Sequence, residues 1–133
     1  MNICKKILST IILSATFLCC AFNVAQTKDQ FYQIGKASYY SYEFNKRKTA
    51  SGEKFNPKSL IAAHRTLPFG TMLKVTNLSN NRSVVVKVAD RGPHVKNRIL
   101  DLSYSAATKI GIVKKGIGNV SIEILNNENL ENS

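Results

Sequence analysis

Val84-Val85-Val86-Lys87-Val88-Ala89-Asp90-Arg91-Gly92-Pro93 is the stretch from which the fold can be read. Val84, Val86 and Val88 alternate with Val85, Lys87 and Ala89, and a period of two sends successive side chains to opposite faces of a strand. β-branched residues pack well on a pleated surface, so the run predicts a well-buried strand. It ends on an acid and a tight Gly-Pro turn. Upstream, Met72 to Leu78 (MLKVTNL) also alternates, and Ser79-Asn80-Asn81 between the two runs tolerates left-handed backbone angles, so a hairpin is expected. Downstream, Val120, Ile122 and Ile124 alternate with Ser121, Glu123 and Leu125 as a closing strand. Ala37 to Tyr40 and Leu60 to Ala63 are shorter strand candidates. One helix is expected over Tyr104 to Ile110, with Ser103 as N-cap and Gly111 at the left-handed C-terminal position. Tight turns at Pro68-Phe69-Gly70 and Gly92-Pro93 complete the pattern. Many short strands and one short helix make this a mainly all-β chain, a small barrel rather than a parallel α/β sheet.

The chain's 133 residues allow one domain. Lys5 and Lys6 precede an apolar run from Ile7 to Ala21, and no charge follows until Lys28. That is the layout of a secretory signal over residues 1–25, and the run is short for a membrane span. Ala21 and Ala25 suit the position before a cleavage. Leu18-Cys19-Cys20 loosely resembles a lipoprotein cleavage site, and an uncleaved anchor is a further alternative. Residues 26–33 read as a polar linker, 34–125 as the folded body, and 126–133 (NNENLENS) as a polar tail. The expected localisation is outside the cytoplasm: periplasm or cell envelope, with an outer-membrane lipoprotein as the lipidated variant. Membrane contact is expected only through the signal or a lipid.

Cys4, Cys19 and Cys20 all lie in the leader, so no disulfide would staple the body, which must rest on its hydrophobic core. Lys and Arg number 19 against 8 Asp and Glu, a net charge of +11, and the leader would remove only Lys5 and Lys6. Such a balance speaks to partners rather than to fold. An exported chain does not meet nucleic acid, so anionic wall polymers or an acidic membrane face are the better partners. A generally solvated basic surface remains the plainer alternative.

Few carboxylates are available for chemistry. Glu53 lies in a small-residue loop, Thr49-Ala50-Ser51-Gly52-Glu53, where another molecule can approach closely or where the acid merely stabilises a turn. Asp90 ends a buried strand before a rigid turn, a placement that suits either a scaffold-held catalytic group or a cap paired with Arg91. Asp101 sits among apolar residues in Ile99-Leu100-Asp101-Leu102-Ser103. It is either desolvated with a raised pKa or occupied with N–H groups at the helix start. His64 emerges from an apolar strand and is either a hydrogen-bonded core residue or a catalyst. His64 and His94 lack ligand spacing and the body has no cysteine, so no metal is expected. No GxSxG or P-loop pattern occurs, and no cofactor is expected.

Six segments taken in order carry a resemblance: Gly35-Lys36-Ala37-Ser38-Tyr39-Tyr40, Thr49 to Phe55, Ala62 to Thr71, Val75 to Leu78, Val88 to Pro93, and Arg98 to Ser103. Together they resemble the motifs of the rare lipoprotein A (RlpA) family over about Gly35 to Leu125. The resemblance implies a six-stranded double-psi β-barrel with one or two short helices, the fold of expansin and barwin N-terminal domains. It also implies lytic transglycosylase activity on peptidoglycan. By motif position Glu53, His64 and Asp90 match residues regarded as functional, and Asp101 resembles the acid of the expansin-type FDLS segment. Three departures stand out. Asn56 replaces an acid common in the family, Ser41 and Lys46 replace glycines of the first loop, and no glycan-targeting SPOR domain follows Ser133 in this sequence.

A lytic transglycosylase needs an acid that protonates the leaving oxygen and a base that takes the proton of the sugar's own 6-hydroxyl, which closes a 1,6-anhydro ring. Asp90 is expected to be that acid/base, with Glu53 its partner, His64 an orienting group and Asp101 the reserve. Tyr39, Tyr40 and Phe44 are candidates for stacking on sugars, and Thr49, Ser51, Arg65 and Arg91 for binding them. The expected partner is the glycan strand, engaged by a monomer. A non-catalytic, expansin-like wall-binding module is the alternative.

Overall fold

The valine-rich run forms a strand whose alternation sets its burial, with Val84, Val86 and Val88 inside and Val85 and Lys87 partly exposed. The computed structural model describes residues 31–126. The elements follow as β1 (Tyr32–Tyr39), β2 (Ile61–Ala63), β3 (Met72–Asn77), β4 (Ser83–Asp90), β5 (Arg98–Leu102), α1 (Tyr104–Ile110) and β6 (Gly118–Ile124), with one 3₁₀ turn at Tyr42–Phe44. The strands close into a barrel in the order β1-β5-β2-β4-β3-β6. Four neighbouring pairs are antiparallel, whereas β1–β5 and β2–β4 are parallel.

The hairpin between β3 and β4 forms as the turn residues require, and Asn81 takes a left-handed φ of 58°. The helix has the expected limits. Ser103 Oγ accepts the Ala106 N–H, and Gly111, at φ 76°, donates its N–H to the Ala107 and Thr108 carbonyls. Ala106, Ala107 and Ile110 face the barrel and join Leu73, Val75, Leu100, Leu102 and Ile122 in one core. Full burial of each large aliphatic side chain contributes about 1.5–3 kcal/mol, which makes a disulfide-free body of this size feasible.

Two features depart from the sequence pattern. β1 begins at Tyr32, two residues before the expected body, because Tyr32 and Gln33 pair with Glu123 and Ile122 of β6. Tyr32 and Ile34 of this strand are exposed while Gln33 turns toward His64, so its first residues lack the buried apolar face that would have marked a strand. The sixth strand, β5, has no clean alternation. Opposite Lys36 and Ala37 it offers Arg98 and Leu100, so Ile99 is one residue too many. β4 carries the same irregularity: Ala62 and Ala63 of β2 oppose Val88 and Asp90, which leaves Ala89 extra. Such bulges re-aim side chains and are uncommon in parallel pairs. The leader, residues 26–30 of the linker and residues 127–133 of the tail lie outside the described residues.

Ile99 packs over Gly35, where an added Cβ would stand 2.6 Å from Ile99 Cγ2. Gly35→Ala is therefore expected to lower stability in urea unfolding by about 1–3 kcal/mol, the usual range for overpacking. Gly35→Ala combined with Ile99→Ala should cost less than the sum of the two single changes. Strict additivity would show that the two positions do not press on each other.

Candidate functional site

β2 pairs with β4 on one side and with β5 on the other, so that Ala63 stands opposite both Asp90 and Asp101, and β5 in turn sets Leu102 opposite Tyr39 of β1. There a cleft of about 580 Å³ opens. It is lined by Tyr39 and Tyr40 where β1 ends, by Phe44, Arg47, Lys48 and Thr49 of the following loop, and by Asp90 and Arg91 where β4 ends. His94, Val95, Arg98 and Asp101 close the other side.

Asp90 owes its place to the extra residue Ala89. Regular alternation from Val84, Val86 and Val88 would send it into the core. Displaced by one position, its carboxylate meets three donors: Tyr40 Oη–H at 2.7 Å, and the Ala50 and Arg91 N–H groups, both at 2.8 Å. Bonds to a charged acceptor are the stronger ones, so Asp90 ties the Thr49–Glu53 loop to the barrel rim. The Tyr40 hydroxyl is held well above its ordinary pKa by burial first, then by its bond to Asp90 and by the charges of Asp90 and Asp101. It remains a donor.

Asp101 is surrounded differently. Its side chain is only 14% exposed, and Oδ1 lies 3.3 Å from Arg98 Nε, within ion-pair range but not aligned as a hydrogen bond. Burial pushes its carboxyl above the usual carboxylate range, and Asp90 pushes the same way. Arg98, His94 and Arg65 pull against that shift.

The other two expected residues stand elsewhere. Glu53 does not line this cleft. Its side chain is half exposed and pairs with Lys87 Nζ at 2.8 Å. His64 is 5% exposed and lines a separate depression with Phe31, Gln33 and Thr66. Its Nδ1 accepts N–H groups of Thr66 and Leu67 at 3.2 and 3.1 Å, and Nε2 lies 3.2 Å from Gln33 Oε1. An Nδ1 that accepts twice leaves the proton on Nε2, which donates to Gln33. Burial, then Arg91 and Arg65, hold its pKa below the ordinary value. Glu53 and His64 thus lie outside the cleft that Asp90 lines, and the second acid in that cleft is Asp101. Asn56 caps its own turn, with Oδ1 accepting the Lys58 N–H.

Of the expected sugar-binding residues, Tyr39, Tyr40, Phe44, Thr49 and Arg91 line the cleft, and Ser51 and Arg65 do not. Tyr39 is half-buried, with its hydroxyl on the Val113 carbonyl. Thr49 and Ser51 share a hydroxyl contact within their loop. Arg65 holds the next loop by donating to the Pro93 and Val95 carbonyls, and Arg91 lies 4.0 Å over the Phe69 ring while donating to the His64 and Leu67 carbonyls. Sequence reasoning missed Arg47, Lys48, His94 and Arg98 as cleft residues. For Arg98 a signal existed, three residues before Asp101 in a strand whose alternation fails. Among the described residues no three His, Cys, Asp or Glu side chains gather as a metal site.

The family profile described as "Lytic transglycolase" matches residues 32–122. The chain is 56% identical over 91 residues to a probable endolytic peptidoglycan transglycosylase RlpA of Synechocystis, covering 68% of this chain and 28% of that protein. It is 49% identical over 113 residues to the like-named protein of Aquifex aeolicus, covering 85% and 50%. To the endolytic peptidoglycan transglycosylase RlpA of Haemophilus influenzae it is 50% identical over 95 residues, covering 71% and 33%. The chain thus spans half or less of the length of these curated relatives. Among solved structures, a Streptomyces papain inhibitor superposes with a TM-score of 0.59 at 23% identity, covering 72% of this chain and 96% of that one. An expansin of Clavibacter michiganensis gives 0.59 at 23%, covering 73% and 52%. The barrel is a double-psi β-barrel.

The His64 geometry carries a pH consequence. With its pKa below the unfolded value of about 6.5, the folded state resists protonation. Stability is then unaffected at higher pH and falls as the pH drops below about 6.5. Nitrogen-15 NMR should show an unprotonated Nδ1 and a proton on Nε2. His64→Asn, whose Oδ1 replaces Nδ1 as acceptor, should flatten the acid side of the urea-midpoint curve. A protonated Nδ1 at pH 7 would contradict the reading.

Proposed function

This chain belongs to the lytic transglycolase family, and we propose that it cleaves the β-1,4 bond between N-acetylmuramic acid and N-acetylglucosamine in peptidoglycan strands, leaving 1,6-anhydro ends. The observation that carries the proposal is the pair of unlike carboxyls in one cleft. Among the described residues Asp101 accepts no aligned hydrogen bond, and burial pushes it toward its protonated form, whereas Asp90 accepts three hydrogen bonds.

Asp101 then takes the acid role, and Asp90 the role of a fixed negative charge. The Asp101 proton passes to the glycosidic oxygen as the C1–O4 bond breaks, and the bond electrons stay on O4. Positive charge grows at C1 and the ring oxygen, where the Asp90 carboxylate favours it. The 6-hydroxyl oxygen of the muramic residue attacks C1, and its proton returns to Asp101. Water is not consumed and the acid is regenerated. Hydrolysis would need two carboxyls at a set separation, one of them serving water. A single acid/base suffices for ring closure.

The walls fit the substrate chemistry. Phe44, partly exposed, lines the cleft beside the acids, and Arg47 and Lys48 supply cations for the lactyl carboxylates of glycan without peptide stems. The reading extends to location. An exported, monomeric protein acting in the periplasm or envelope, carried by the signal at residues 1–25 or lipidated there, would meet this polymer.

Incubation of the protein with purified glycan strands, followed by mass spectrometry, should reveal 1,6-anhydromuramyl ends. Asp101→Asn should lower their rate of formation by about 10²–10⁴-fold, the usual contribution of a general acid. Asp90→Asn should also lower it, and Glu53→Gln should leave it within a few-fold. Strand binding without new ends would identify a non-catalytic wall-binding module instead. Full activity in Asp101→Asn would refute the assignment of the acid.

A further inference from the structure

Arg98 and Asp101 are three residues apart on β5, and in a regular strand such residues point to opposite faces. They meet because Ile99 is the extra residue opposite Lys36 and Ala37. Leu100 and Leu102 stay in the core, and Arg98 turns to the face of Asp101. Gly35 makes room for the displaced Ile99 side chain, as its lack of a Cβ requires. The bulge therefore has a definite product, a guanidinium brought against one oxygen of a half-buried carboxyl.

The contact has an unusual form. Arg98 Nε and Asp101 Oδ1 are 3.3 Å apart and both are sealed from solvent, yet neither has an aligned hydrogen-bond partner among the described residues. An ordinary structural ion pair satisfies its buried atoms, since an unsatisfied polar atom costs about 1–3 kcal/mol. Because Oδ1 is covered, the oxygen that Asp101 offers to the cleft is Oδ2.

We infer that Arg98 is a positioning residue for the acid: by covering Oδ1 it directs the exchangeable proton of Asp101 to Oδ2, the oxygen that faces the glycosidic bond. This rests on the proposed acid role of Asp101. A protonated carboxyl carries its proton on one oxygen only, and the positive guanidinium 3.3 Å from Oδ1 disfavours a proton there, which leaves Oδ2 as the hydroxyl. When the proton leaves, the same guanidinium faces the carboxylate and favours it, so the acid is released and recovered without side-chain movement. Other groups also bear on Asp101. His94 from the following loop and Arg65 from the loop after β2 favour its charged form, and Asp90 at the end of β4 opposes it. Tyr40 at the end of β1 faces it as a neutral hydroxyl.

Arg98→Met and Arg98→Lys separate this from a merely structural role. The titration of the Asp101 carboxyl is followed by carbon-13 NMR, and the rate of anhydro-end formation is measured against pH. In Arg98→Met the Asp101 titration should move to higher pH, because an opposite charge has gone. The alkaline limb of the rate profile should move with it, and kcat should fall about tenfold or more with KM within twofold. Arg98→Lys keeps the charge but not the Nε–H, so its titration should stay near that of the native protein while kcat still falls. An unmoved titration in Arg98→Met, with an unfolding midpoint like that of the native protein, would overturn the inference. So would a raised KM at constant kcat, which would make Arg98 a ligand of the substrate. Should the native protein form no anhydro ends, the proposed function fails, and the NMR titration still decides whether Arg98 governs Asp101.

Discussion

Two strands of this barrel are each one residue longer than their parallel neighbours allow, and the chemistry of the cleft depends on those two surplus residues. Strand alternation is rigid: the same period that buries Val84, Val86 and Val88 would bury Asp90, and would part Arg98 from Asp101. Ala89 and Ile99 break the period in the two parallel pairs, and β2, paired with both β4 and β5, sets Asp90 and Asp101 on either side of Ala63. The core gains its regularity from the long antiparallel ladders of β1, β3, β4 and β6. The cleft gains its carboxyls from the irregular parallel ones.

The carboxyl set down by the first bulge also organises the loop above it. Asp90 accepts the Tyr40 hydroxyl on Oδ2 and the Ala50 N–H on Oδ1. Thr49 and Phe55 bond back across the same loop, to the Glu53 and Arg47 carbonyls. Phe55 packs with Ile61, Ala89 and Tyr40 in a small core of its own under this wall. The wall that carries Phe44, Arg47 and Lys48 is thus anchored through one charged acceptor and one aromatic cluster. That arrangement keeps an exposed, glycine-containing loop in position without a disulfide.

The barrel was largely legible in the sequence, because its long strands alternate and its helix has both caps. The hairpin at Ser79 to Asn81 and the helix limits at Ser103 and Gly111 follow from local chemistry alone. β5 was not legible by alternation, since a bulge erases the period that reveals a strand. The site was legible in part. Asp90 and Asp101 could be singled out as acids beside apolar runs, but the sequence could not say that they share a cleft. Nor could it place Glu53 and His64. Glu53 has a cation across the barrel surface, at Lys87, which lies 34 positions away. His64 has its acceptor filled by the two N–H groups that follow it in the chain. Motif membership told which residues matter to this fold, and only the partners of each side chain told why.

His64 shows how a residue can bear on the cleft without lining it. Its ring fixes the turn through Thr66 and Leu67, and Arg91 donates to the carbonyls of both His64 and Leu67. Arg91 follows Asp90 directly, and its own N–H is one of the three donors on that carboxylate. A change at His64 would therefore reach the cleft through Arg91 and the end of β4, with no role in proton transfer. The same reasoning separates the two acids. Both lie at the rim of one barrel and both line one cleft, yet Asp90 accepts three aligned hydrogen bonds, while Asp101 is half-buried beside charged groups of which only a misaligned guanidinium reaches ion-pair distance. Environments that differ this much sort identical side chains into a fixed charge and a proton carrier. Exchanging the two would mean rebuilding the donors at the end of β4, beyond any change in the carboxyls themselves.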